Sequence, residues 1–76
     1  MPDWALKVSF DLVFHDTLLA GRRPWRIWDL ANTLEEAEDH VRGTYGHAHN
    51  PPLKFRRVRA EKSDGAKVAG AGPWER

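Results

Sequence analysis

The chain contains no cysteine, so neither a disulfide framework nor a thiolate metal site is open to it. It also lacks a long apolar run. Its apolar stretches are a few residues long and broken by charges, and the expectation is a cytoplasmic protein with neither a signal peptide nor a membrane span. Serine is scarce: Ser9 falls within an alternating apolar stretch and Ser63 in a turn, and neither has the setting of a nucleophile. Gly70-Ala71-Gly72 lacks the strand-to-helix context of a phosphate cradle, and the neighbouring carboxylates Glu35 and Glu36 point in different directions on a helix. Histidine is present as His47-Ala48-His49, with His40 upstream and His15 remote, but no third and fourth ligand stand at metal-binding spacing. A chain of 76 residues has little room for a substrate pocket. These absences lead us to expect a non-enzymatic protein without metal or cofactor.

What is present is organised around residues 25–45, WRIWDLANTLEEAEDHVRGTY. Thr33 and Glu36 fit a capping box, in which the Thr33 hydroxyl accepts from the Glu36 N–H and the Glu36 carboxylate returns to the N–H of Thr33. Glu35 and Glu36 occupy the first turn, where the helix dipole favours carboxylates. Leu34, Ala37, Val41 and Tyr45 recur at helical spacing and make one apolar stripe. Gly43 weakens the last turn, which predicts fraying from Arg42, and Gly46 suits the position just past the helix end.

Around this helix the sequence predicts strands. From Trp4 to Phe14 the even positions Trp4, Leu6, Val8, Phe10, Leu12 and Phe14 are apolar, a period of two over a full strand. Residues 15–24 form a connector with turn residues Asp16 and Gly21 and with Leu18 and Leu19 in its middle. Trp25 to Ala31 is a second strand, antiparallel to the first, with apolar residues in both phases. Asn50-Pro51-Pro52 closes a loop, and Leu53 to Lys62 forms a third strand. There Leu53 and Phe55 keep one phase and Val58 and Ala60 the other, so either a bulge falls near Arg56-Arg57 or both faces are half used. Ser63-Asp64-Gly65 signals a turn with Asp-Gly at its centre, followed by a short strand from Ala66 to Ala69 and a flexible tail whose Trp74 either folds back onto the sheet or is free to contact a partner. The expected fold is α+β: an antiparallel sheet of three to four strands with one helix on one face, ββαβ with a short fourth strand. Residues 1–62 make the single domain, and 63–76 the turn, strand and tail. So small a core leaves stability marginal unless a partner or second copy adds to it.

Charge is segregated along the chain although the total is only +1. Residues 1–21 carry −2, 22–31 carry +2, the helical stretch 32–46 carries −3, and 47–62 carry +4. The basic segments are interleaved with tryptophan: Arg22, Arg23, Trp25, Arg26 and Trp28, then Lys54, Arg56, Arg57 and Arg59. Guanidinium groups pair with phosphate and indoles stack on unpaired bases, so a sheet presenting both suits single-stranded nucleic acid. The competing reading places the tryptophans in the core and leaves the arginines as a solvated face. On the helix, Glu35, Glu36, Glu38 and Asp39 make an acidic face, either ordinary solvated surface or a mimic of nucleic-acid phosphates.

A Trp/Arg strand followed by TLEEAEDHV and then a basic strand LKFRRVRAEK resembles the compact ββαβ proteins of bacteriophages and mobile elements, among them anti-CRISPR proteins. The resemblance covers about residues 4–62 and rests on size, element order and style; it transfers no functional residue. It implies a phage protein acting in the host cytoplasm, an inhibitor that covers a surface of a CRISPR effector or similar nucleoprotein complex. The binding residues we expect are Arg22, Arg23, Arg26, Trp28, Arg56, Arg57 and Arg59. The alternatives are a nucleic-acid-binding module that uses the same residues, and a homodimer closed by an exposed sheet edge or by burial of Trp28 and Leu30.

Overall fold

The computed structural model describes residues 4–13, 23–45 and 54–75. The connector around Leu18 and Leu19, Arg22, the His47/His49 loop with its prolines, and Gly46 lie outside the described residues. Strands β1 (Leu6–Val13) and β2 (Trp25–Ala31), helix α1 (Leu34–Tyr45) and strands β3 (Lys54–Lys62) and β4 (Lys67–Ala69) follow in chain order. They form one four-stranded sheet in the order β2-β1-β3-β4, antiparallel throughout, with the helix over β1 and β2. The fold is α+β, of order ββαββ. Because β2 and β3 both run against β1, they are parallel to each other, and α1 carries the chain across the central strand between them.

The alternation of β1 decides which face is the core. Val8, Phe10 and Leu12 are fully buried and Leu6 nearly so, against Ala37 and Val41 of the helix and Ala31, Phe55 and Ala60 of the flanking strands. Phe10 and Phe55 meet edge to face, with ring centres 6.1 Å apart and planes at 69°. Leu34 and Tyr45 of the helical stripe are half-buried at its two ends. The Thr33 hydroxyl accepts from Glu36 N–H at 3.0 Å, while the Glu36 carboxylate accepts from Asn32 N–H at 3.3 Å, one residue before the partner expected for it. The helix continues through Gly43 to Tyr45 instead of fraying from Arg42. Arg42 is bonded to Asp39 at 2.7 Å and to Glu75 at 3.5 Å, which holds the last turn against the chain end.

A bulge resolves the phase conflict in β3. The register against β1 pairs Ser9 with Arg59 but Phe10 with Arg57, leaving Val58 as the extra residue. Phe55, Arg57 and Ala60 therefore share the helix-side face, while Lys54, Arg56, Arg59 and Glu61 share the other. The turn between β3 and β4 differs from a two-residue Asp-Gly hairpin. Gly65 N–H donates to Lys62 O at 2.9 Å, Lys62 N–H donates to Ala66 O at 2.8 Å, and Gly65 has φ +90°. Ser63 and Asp64 are thus the central pair, and Gly65 is the positive-φ residue of a three-residue loop.

The segment after β4, expected as a flexible tail, runs along β3. Gly72 N–H donates to Arg57 O at 2.8 Å, and Phe55 and Glu75 exchange both backbone bonds at 2.7 and 2.6 Å. Neighbouring residues of this strap face opposite ways: Glu75 reaches Arg42 on the helix side, and Trp74 lies on the other side against Arg56. Among the described residues, no helix is long and apolar enough to cross a membrane.

Candidate functional site

The face of the sheet turned away from the helix is the candidate surface. Register places on it Lys7, Ser9, Asp11 and Val13 of β1, Arg26, Trp28 and Leu30 of β2, and Lys54, Arg56, Arg59 and Glu61 of β3. With Lys67 of β4, which stands opposite Glu61, six cations there stand against two carboxylates. The tryptophans are not core. Trp28 is 58% exposed on this face, Trp74 is 42% exposed above it, and Trp25, in the helix-side phase at the end of β2, is 62% exposed. The core thus takes its aromatic packing from Phe10 and Phe55, and these three large tryptophan side chains remain in water.

The open face is ordered by charge. Asp11 lies opposite Arg26 on one side and Arg56 on the other, and both guanidinium groups converge on it, Arg26 Nε at 2.5 Å from Oδ1 and Arg56 Nη2 at 3.5 Å from Oδ2. The Asp11 side chain is only 7% exposed although it faces away from the helix. Its hydrogen bond first, and its charge second, hold the Arg26 guanidinium more firmly protonated than usual. Trp74 completes the row, with the Arg56 guanidinium 4.8 Å from its ring centre. At the other end of the face Lys7 Nζ sits 5.0 Å from the Trp28 ring, and Arg59 Nε pairs with Glu61 at 2.5 Å.

The expected binding residues are therefore divided. Arg26, Trp28, Arg56 and Arg59 come together on the open face. Arg57 does not join them: it lies on the helix side, where it bonds Glu38 at 3.0 Å and donates to Gly70 O at 3.1 Å. Arg23 is exposed ahead of β2, and Arg22 lies outside the described residues. Sequence reasoning left Lys7, Asp11 and Trp74 out of the site. The odd phase of Lys7 and Asp11 in β1 pointed to this face, whereas the position of Trp74 depends on the strap.

The acidic helix face is largely engaged within the protein. Glu36 serves the cap, Glu38 holds Arg57, and Asp39 holds Arg42. His40 Nδ1 lies 2.8 Å from Asp29 Oδ2 on β2, and its Nε2 lies 3.9 Å from Glu36 Oε1. The Asp29 hydrogen bond raises the His40 pKa above its ordinary value, outweighing the opposing effect of desolvation, and the charges of Asp29, Glu36 and Asp39 add to the rise. This pair borders a shallow cleft between β2 and the helix, lined by Ile27, Val41, Thr44 and Tyr45. Among the described residues no three His, Asp or Glu side chains are grouped to hold a metal ion. Fold and surface together define a two-layer α+β domain with one covered and one basic-aromatic sheet face. Comparison with protein-family models, with curated proteins and with solved structures returned no match for the chain.

Proposed function

We propose that the protein is a non-enzymatic binding module that contacts single-stranded nucleic acid through the open face of its sheet. The observation that supports this most is the exposure of Trp28 and Trp74 on a face with six cations and two carboxylates. Indoles offer stacking surfaces to unpaired bases, and the surplus of positive charge attracts the phosphates that accompany them. Titration of a labelled single-stranded oligonucleotide at several salt concentrations tests the reading. If about three phosphates are neutralised, the affinity falls with a log–log slope of roughly −2. Replacing Arg56 and Arg59 by Ala should lower that slope by about 1.4 in total, at about 0.7 per lost phosphate contact. Arg57→Gln, on the opposite face, should leave it unchanged. Trp28→Ala should cost about 1–3 kcal/mol if a base stacks there. Absence of binding to any single-stranded oligonucleotide at low salt would sink the proposal.

A second reading, the inhibitor that covers a nucleoprotein surface, has an observation of its own. Arg26, Arg56 and Arg59 are already paired with Asp11 or Glu61. A mixed-charge surface with Trp and Arg at its centre is the composition of protein-interface hot spots. Its mark would be retention of a nuclease-resistant protein complex at high salt, where simple phosphate binding is lost.

A further inference from the structure

The two edges of the sheet are built differently. Outside β3, β4 and the strap close the edge, with a register shift between Ala60 and Glu61 and backbone bonds at Gly72 and Glu75. On the opposite side β2 pairs with β1 without a shift along its whole length, from Leu12–Trp25 to Leu6–Ala31. Among the described residues no strand lies beyond it. Exposed edges are normally guarded by lysine, proline, a bulge or short length, because their free N–H and C=O groups template further pairing. Trp25–Ala31 contains no lysine, proline or bulge over its seven residues, and its two charges, Arg26 on the open face and Asp29 on the helix side, are of opposite sign.

We propose that β2 is the docking edge for a second copy of this chain, whose own β2 pairs with it antiparallel about a two-fold axis and joins two four-stranded sheets into one. The occupant is argued from the strand's match to itself. A two-fold axis perpendicular to the sheet keeps both helices on one side, so residues facing each other across the new ladder must share a face. With Ile27 on the axis, Arg26 of each copy stands opposite Trp28 of the other on the open face. Directly opposed side chains in an antiparallel ladder have Cβ atoms about 4.5–5.5 Å apart, within cation–π reach. Trp28 already attracts a cation in its own chain, Lys7 at 5.0 Å, and Arg26 is 60% exposed at its side chain despite its pairing with Asp11. The strand carries one Arg and one Asp, so two copies meet without net repulsion. Moving the axis to Trp28 would set Arg26 against Leu30 and lose both cation–π pairs. The joined sheet would present one continuous open face with Trp28 of both copies near its middle.

Sedimentation equilibrium of the full chain, without nucleic acid, tests this independently of the proposed function. The expected result is the mass of two chains at the upper end of the concentration range, dissociating on dilution. A mass of one chain at every concentration overturns the proposal. Trp28→Lys sets lysine against the Arg26 of the other copy and should weaken dimerisation at least tenfold; a dimer indifferent to it also overturns the proposal. Since the wild-type chain has no cysteine, a single introduced thiol is a clean probe that remains usable if Trp28→Lys misfolds. Ile27→Cys should form a disulfide-linked dimer under mild oxidation, whereas Lys67→Cys on the far edge should not. Failure of Ile27→Cys to cross-link overturns the register, and with it the argument from Arg26 and Trp28.

Discussion

Even-numbered residues of β1 face the helix, odd-numbered residues face away from it, and the two sets are buried by different means. Val8, Phe10 and Leu12 lose their contact with water to the helix and to Phe55 and Ala60. Asp11 loses it to side chains alone: Arg26 and Arg56 close over it from the adjacent strands, and Trp74 lies on Arg56. One face is thus covered by a secondary-structure layer, the other locally by a row of guanidinium groups and an indole. The first kind of cover gains from removing apolar area from water, about 25 cal/mol per Å². The second exchanges hydration of a carboxylate for two ion pairs whose guanidinium groups remain partly wet, and its net gain is small. A face held in that way can exchange its internal partners for those of a ligand, which the helix-covered face cannot do.

The largest effect that would sharpen this contrast is expected on the covered face. Phe10→Ala removes a fully buried ring from between the helix and Phe55 and should cost about 3–5 kcal/mol in a urea melt. In a domain of this size that is a large part of the total stability, so the urea midpoint of the variant should fall steeply. A loss below about 1 kcal/mol would mean that the helix layer does not bury this face as described.

The next effect belongs to the open face. Asp11→Ala leaves Arg26 and Arg56 facing each other without their shared carboxylate. Removing one partner of a fully buried pair costs about 3–5 kcal/mol, but both guanidinium groups here can turn to water, so about 1–2 kcal/mol is expected. The difference from wild type should shrink as salt is added. A cost equal to that of Phe10→Ala would break the comparison, since the two faces would then be held with equal strength.

The covered face was largely legible in the sequence, because its signal is local. The period of two in β1, the stripe Leu34-Ala37-Val41-Tyr45 and the Thr33 cap each depend on residues a few positions apart, and all three recur in the fold. The open face depends on register, which is not local. Grouping Arg56, Arg57 and Arg59 by charge overlooks that the extra residue at Val58 returns Arg59 to the side of Arg56 and leaves Arg57 with Glu38. The partners of Asp11 lie 15 and 45 residues away and become visible only once β2 and β3 are set against β1. The course of the tail is non-local for a related reason: Gly70 to Pro73 has the composition of a flexible segment, and its bond from Gly72 N–H to Arg57 O becomes visible only once β3 is in place.

The smallest effect tests where the two layers meet. His40 on the helix and Asp29 on β2 form an ion pair across the rim of the covered side when the imidazole is protonated. Its folded pKa is raised above the ordinary 6.5 by the Asp29 hydrogen bond first and by nearby carboxylate charge. A group whose pKa is raised by folding binds its proton more tightly in the folded state. Its contribution to stability is therefore complete below about 6.5 and is lost as pH rises through the folded pKa. An NMR titration of the His40 ring should place its midpoint above 6.5, and Asp29→Asn should move it back toward that value. In the wild type, stability should decline over the same window at the alkaline side of 6.5, and in Asp29→Asn that decline should flatten. A His40 midpoint at or below 6.5 in the wild type would show that folding gives the protonated imidazole no net gain, and that His40 adds no pH-dependent hold between the helix and β2.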